Sequence, residues 1–184
     1  IELEPLEPGG PRAPVGFVEP SGSFEVTGVP PAQYYVRASG LPPGWHVASI
    51  LSGTRDLSES PLAIGIETPS PITVTLSNQL GSLTGMIRDG QGRGQPHATV
   101  VVFPARLTTA ARANVLRFRS ARANADGVYR LEGLPDGMYS IAALPESAAA
   151  NWREPRRLEE LRSRATTISV RARQPMLVDV RIGR

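Results

Sequence analysis

The sequence predicts an all-β chain of two tandem Greek-key β-sandwich modules, with one short helix in the second. Three observations predict it. Gly and Pro together number 36 of 184 residues, roughly one in five and well above the usual share, so the chain turns often. Apolar residues recur at alternate positions in short runs, the period of strands with one buried face. One pattern also occurs twice.

The first copy reads GSFEVTGVPPAQYYVRA from Gly22, and the second reads GVYRLEGLPDGMYSIAA from Gly127. At an offset of 105, Gly22/Gly127, Gly28/Gly133, Pro30/Pro135, Tyr34/Tyr139 and Ala38/Ala143 are identical. Phe24/Tyr129, Val26/Leu131, Val29/Leu134 and Val36/Ile141 keep their character. Each copy is therefore strand, tight turn, strand, with Gly and Pro supplying the turn. Pro20-Ser21-Gly22 and Ala125-Asp126-Gly127 each close a hairpin with the strand before.

The second module, residues 79–184, reads through as a complete sandwich. Strands are expected at 83–88, 99–103 and 117–123, then the two repeat strands, then 166–171 and 176–182. Residues 89–94 form the first connecting loop. Short strands with Gly/Pro punctuation argue against βαβ units. A helix is expected over 154–165, with Pro155 at its first position. Leu158, Leu161 and Ala165 form its apolar stripe, Glu160 pairs with Arg164 and Trp152 anchors it.

The first module, residues 1–78, is clipped. Residues 1–5 match the end of 101–104, and nothing before them corresponds to 81–98, so about one strand of the sandwich is missing. Three readings stay open: a fragment of a longer chain, a gap filled by a strand from a neighbouring subunit, or a repacked edge. The start at Ile1, without Met or an apolar leader, fits a processed or excised piece. Residues 1–78 carry eight acids and three Arg, 3 − 8 = −5, and residues 79–184 carry nine acids and seventeen Arg, 17 − 9 = +8. An acidic and a basic module in series suit head-to-tail contact between copies.

Composition removes several chemistries. There is no Cys, hence no disulfide, thiol nucleophile or Cys-based metal site. All twenty basic residues are Arg, so phosphate-loop and Schiff-base lysines are absent. Two His, His46 and His97, sit in no arrangement that suggests a triad or a metal centre. No apolar run approaches the length that crosses a bilayer as a helix.

The stretches GSLTGMIRDGQGRGQPHATVVVFP and NADGVYRLEGLPDGMYSIAAL resemble carboxypeptidase regulatory-like domains. WREPRRLEELRSRATTISV is similar to the tail of such modules in large bacterial proteins. The resemblance covers nearly all of 79–184 and, less completely, 1–78. It implies prealbumin-like (transthyretin-like) β-sandwiches, which occur as tandem modules of secreted and envelope proteins. Related surface modules carry Lys–Asn cross-links, which a chain without Lys cannot form.

Candidate surfaces are few. Tyr35 and Trp45, the latter beside Pro42-Pro43-Gly44, are the side chains for stacking on a sugar ring, although Trp45 is expected first as a plug at the end of the core. Arg112, Arg117 and Arg119 lie in a basic stretch open to a polyanion or a partner. Strand alternation would put Arg117 and Arg119 on a solvated face with Phe118 opposite. Asp89 to Gly94 reads as a turn and not as a calcium loop, because Arg93 stands where an oxygen ligand is needed. The expectation is a non-catalytic structural or adhesive module, extracellular or in the cell envelope, a filament subunit joined by strand pairing in its sharper form. It carries no catalytic, cofactor or metal residues. Its partners would be neighbouring domains or copies of itself, with no nucleic acid and no membrane span. A carbohydrate- or ligand-binding accessory module is the alternative.

Overall fold

The structure, a computed structural model, describes residues 1–58, 60–65, 69–108 and 115–182. It is all-β apart from one short α-helix and two 3₁₀ turns among the described residues. The chain divides into two compact units, one centred on Ile1–Asn78, the other on Gln79–Leu107 and Ala111–Arg184.

The second unit is a two-sheet Greek-key sandwich. Its strands are β7 (Gly81–Arg88), β8 (Thr99–Pro104), β9 (Arg119–Arg122), β10 (Val128–Leu134), β11 (Gly137–Leu144), β12 (Thr166–Val170), β13 (Pro175–Leu177) and β14 (Val180–Arg181). One sheet has the order β10-β7-β13, with β14 also on β7, and the other runs β12-β11-β8-β9. Alternation does the folding: β7 buries every second residue, and Leu83 and Ile87 face Val100, Val102, Tyr139 and Ile141 in one core. The last strand, expected unbroken over 176–182, is split at Val178-Asp179. Gly85 explains the approach there, since a Cβ at this position would meet the Val178 carbonyl at 1.9 Å. Tyr129 Oη donates to that same carbonyl at 2.6 Å, and the Asp179 carboxylate accepts from the Met86 N–H at 2.9 Å.

The helix, α1 (Pro155–Arg162), starts at Pro155 as expected and buries Leu158 and Leu161. It covers a second apolar cluster with Val101, Phe103, Phe118, Ala142, Leu144 and Trp152. Glu160 pairs with Arg157 at 3.1 Å, not with Arg164 as expected. The i,i+3 partner is equally within reach on a helix surface.

The first unit holds β1 (Glu2–Pro5), β2 (Ala32–Arg37), β3 (His46–Ser52), β4 (Arg55–Asp56), β5 (Leu62–Ile64) and β6 (Ile72–Ser77). Its sheets are β1-β2-β5 and β4-β3-β6. Its core gathers Leu3, Tyr34, Val36, Ile50, Leu57 and Leu62. The register repeats that of the other unit: Pro5 lies opposite Tyr34 and Pro104 opposite Tyr139. Leu62 pairs with Tyr34 and Ile168 with Tyr139 on the other side. Both tyrosines donate to the carbonyl four residues earlier, Tyr34 to Pro30 and Tyr139 to Pro135, each at 2.8 Å.

One expected strand of the first unit does not form. Residues 23–29 alternate as a strand should, yet carry only an isolated bridge, Val18 to Phe24. Their counterpart β10 is held by β7, and among the described residues no strand of the first unit takes that place. Alternation without a partner ladder does not make a strand.

Candidate functional site

Tyr35 follows inward-facing Tyr34 on β2 and so points to the other face of the sheet. It is nevertheless 8 % exposed, with the Arg37 guanidinium 5.5 Å from its ring centroid and Glu4 opposite it across the ladder. Little of the ring is open for stacking.

Trp45 stands just before β3, where its N–H donates to Pro42 C=O at 3.0 Å and Gly44 takes φ +80°. Its side chain is 41 % exposed and lies outside the core cluster. The expected core plug is not there, because the Pro-Pro-Gly turn holds this position on the surface.

Arg112 lies outside the described residues. Arg117 ends a 3₁₀ turn (Val115–Arg117) instead of sitting on a strand, so the expected alternation with Arg119 fails at that position. Its guanidinium lies 4.9 Å from the Tyr139 ring centroid and donates to Met138 C=O at 3.2 Å. Arg119, on β9, donates to Gly133 C=O at 3.4 Å, and Phe118 is buried in the helix cluster. These arginines tie the unit's own backbone together.

His46 is buried on β3 and His97 occupies a turn of the second unit at φ +62°. Among the described residues no three His, Asp or Glu side chains gather in a way that would hold a metal ion. Also among the described residues, no helix is long and apolar enough to cross a membrane.

The shifted titrations belong to turns and core packing. Asp89 accepts from the Gln91 and Arg93 N–H groups at 2.8 and 2.9 Å, closing its loop as the expected turn. The Arg93 N–H, first among these contacts, holds its carboxyl below the usual range. The Met86 N–H and then Arg88 do the same for Asp179. Burial raises Tyr129 and Tyr139 above the ordinary phenol value. Grooves exist in both units, one lined by Pro5, Leu6, Pro31 and Ile64, the other by Arg164, Thr166, Asp179 and Arg181. Neither presents a nucleophile beside a base.

Sequence reasoning missed the exposed apolar residues of the first unit. Val15, Phe17 and Val18 are 52, 84 and 56 % exposed. By the offset of 105 they stand where the second unit has Ser120, Arg122 and Ala123. That mismatch between the copies was the available signal. What the described geometry offers is sheet edges and apolar surface.

No family model matches the chain, and no curated protein is similar to it in sequence. Among solved structures it is similar to a streptococcal ancillary pilin, with 15 % identity over 90 % of this chain and 48 % of that one, at a TM-score of 0.39. It is also similar to the minor pilin GBS52 of Streptococcus agalactiae, with 11 % identity, 88 and 64 % coverage and a TM-score of 0.38. A third likeness is to the Bacillus anthracis TIE protein, with 15 % identity over 66 % of this chain, a fifth (20 %) of that one, at 0.36. The chain thus spans less than two thirds of each of these proteins.

Proposed function

We propose that the chain is a non-catalytic structural segment of an extracellular or cell-envelope protein, made of two copies of one prealbumin-like sandwich and joined to further copies through its sheet edges. The observation that carries this reading is the exposed apolar surface of Val15, Phe17 and Val18 beside residues 23–29, which form no ladder beyond the Val18–Phe24 bridge among the described residues. An edge without a partner ladder and with apolar side chains around it is a site for another strand. The opposed charges of residues 1–78 and 79–184, −5 and +8, support heterologous contact between successive chains, which need not close into a ring. The pilin likenesses are too distant to add weight.

Negative-stain microscopy of the native material, with light scattering of the purified chain over a range of concentrations, tests the reading. Regular fibres and mass that grows with concentration are the expected results. Unassembled native material together with a particle of about 20 kDa, the mass of one chain, would remove the filament.

A second reading rests on the exposure of Trp45, whose ring is open for stacking on a sugar. Retention of the chain on insoluble polysaccharide, lost in Trp45→Ala, would favour that accessory-module reading.

A further inference from the structure

Inside the second unit, β14 touches both sheets. Val180 and Arg181 run parallel to Ile87 and Arg88 of β7, and Ile182 bridges to Ala143 of β11. β12 begins at Thr166, opposite Ile141, whereas β11 continues to Leu144. A groove of about 310 Å³ is left at this end, walled by β11 and by Arg164, Thr166, Asp179 and Arg181. That volume is at the small end for ligand sites, which run from about 300 to 1,000 Å³.

The charges around the groove do not balance. Asp179 is the one acid in its lining, and its carboxylate is already engaged by the Met86 N–H at 2.9 Å and by Arg88 at 3.0 Å. Arg181 lies across the parallel ladder from Arg88, so it has a like charge for a neighbour and no acid of its own. Arg164 stands two residues beyond α1, whose last turn holds Glu159 and Glu160. These two pair with Arg162 and Arg157 instead, at 3.0 and 3.1 Å. Among the described residues neither Arg164 nor Arg181 has a side-chain partner, and the Thr166 hydroxyl has none. A single solvated Arg is ordinary on a protein surface. Two on separate walls of one groove, with the only acid there drawn to a third Arg, leave an excess of two positive charges for a bound group to meet.

We propose that this groove binds a phosphate group, held between Arg164 and Arg181 with the Thr166 hydroxyl donating to it. Charge selects the class: a phosphate monoester carries about −1.5 to −2 at neutral pH, which matches two guanidiniums, whereas a carboxylate carries one charge. Shape agrees, since a planar carboxylate is satisfied by one bidentate Arg, and tetrahedral oxygens also face a second Arg and a hydroxyl. Arginine suits the task because its donors form a fork and its charge does not titrate. The site lies wholly in the second unit, so a chain that never assembles would carry it as well.

Equilibrium dialysis of the purified 184-residue chain against radiolabelled inorganic phosphate tests the proposal. Saturable one-to-one binding is expected, weakened at least tenfold by Arg164→Gln and by Arg181→Gln. Both side chains are exposed, so thermal melts of the variants should match the parent. Arg171→Gln removes the same charge from an exposed position outside the groove and should change binding less than twofold. Acetate should compete at least tenfold more weakly than phosphate. Methyl phosphate separates the sources: competition equal to that of inorganic phosphate supports a group borne on a larger molecule, and much weaker competition supports the free anion. Absence of saturable binding overturns the site. Binding that falls equally in all three variants, or that neither groove variant alters, also overturns it, and acetate competing as well as phosphate overturns the ligand class.

Discussion

On the outer face of the β8–β11 pair the side chains are Val101, Phe103, Ala142 and Leu144, and α1 with Trp152 lies over them. At the corresponding positions of β1, β2 and the residues just after β2 the first unit has Glu2, Glu4, Arg37 and Ser39, and nothing helical covers them among its described residues. Arg37 pairs with Glu4 at 2.9 Å, and the Ser39 hydroxyl donates to Glu2. The connection explains the difference: between β11 and β12 the chain makes α1, and between β2 and β5 it makes β3 and β4. One sheet design thus accepts either a dry or a wet outer face. The connecting segment and the outward residues change together, because an apolar face must be covered and a charged one must not be.

The largest effect should come from the covered face. Phe103→Ala removes a fully buried ring that touches Trp152 at 6.4 Å between centroids. The expected loss is about 3–5 kcal/mol from the second unit, read in urea melts. Glu4→Ala, at the corresponding position of the first unit, is the control. A loss there of similar size would break the contrast between the faces.

The inner faces should behave alike. Tyr34→Phe and Tyr139→Phe each leave a carbonyl without its hydroxyl donor, at Pro30 and Pro135. Each should cost about 1–2 kcal/mol. Unequal losses would show that the corner bond holds only one of the two units.

Asp179 sharpens the comparison at the split strand, which β6 lacks. Asp179→Asn should cost about 1 kcal/mol at neutral pH through weakened bonds to Met86 and Arg88. The carboxyl's pKa is lowered by folding. Its contribution is therefore present above the unfolded value of about 4 and lost as pH falls through the folded one. The difference between variant and parent should disappear in acid melts. A difference that stays constant with pH would show that the charge is not what holds the split.

The smallest effect belongs to Glu4→Ala itself, about 0–1 kcal/mol for an exposed ion pair, further reduced by salt. In the same melts a larger value would mean that the wet face is held by more than its surface charges.

Much of this was legible in the chain. The period-two runs gave β2 and most strands of the second unit but not 23–29, and β3 to β6 were not read; the offset of 105 matched positions whose registers repeat at Tyr34 and Tyr139, and Pro155 with Leu158 and Leu161 gave the helix. The charge pattern at Glu2 and Glu4 against Val101 and Phe103 also announced the two outer faces, although it is read only once the registers are aligned through Pro5 and Pro104. The candidate surface was less legible. Tyr35 looked available and is covered by Arg37, Trp45 looked buried and is open, and Arg117 looked like a solvated strand residue and lies against Tyr139.

The sequence by itself determined which residues alternate, where the chain turns and which positions the two units share. Those depend on local geometry and on side-chain polarity, which each residue carries with it. Tertiary structure alone decided whether an alternating segment becomes a strand. Residues 23–29 and 128–134 have the same pattern, but only the second has β7 beside it, and a strand's backbone hydrogen bonds come from its neighbours.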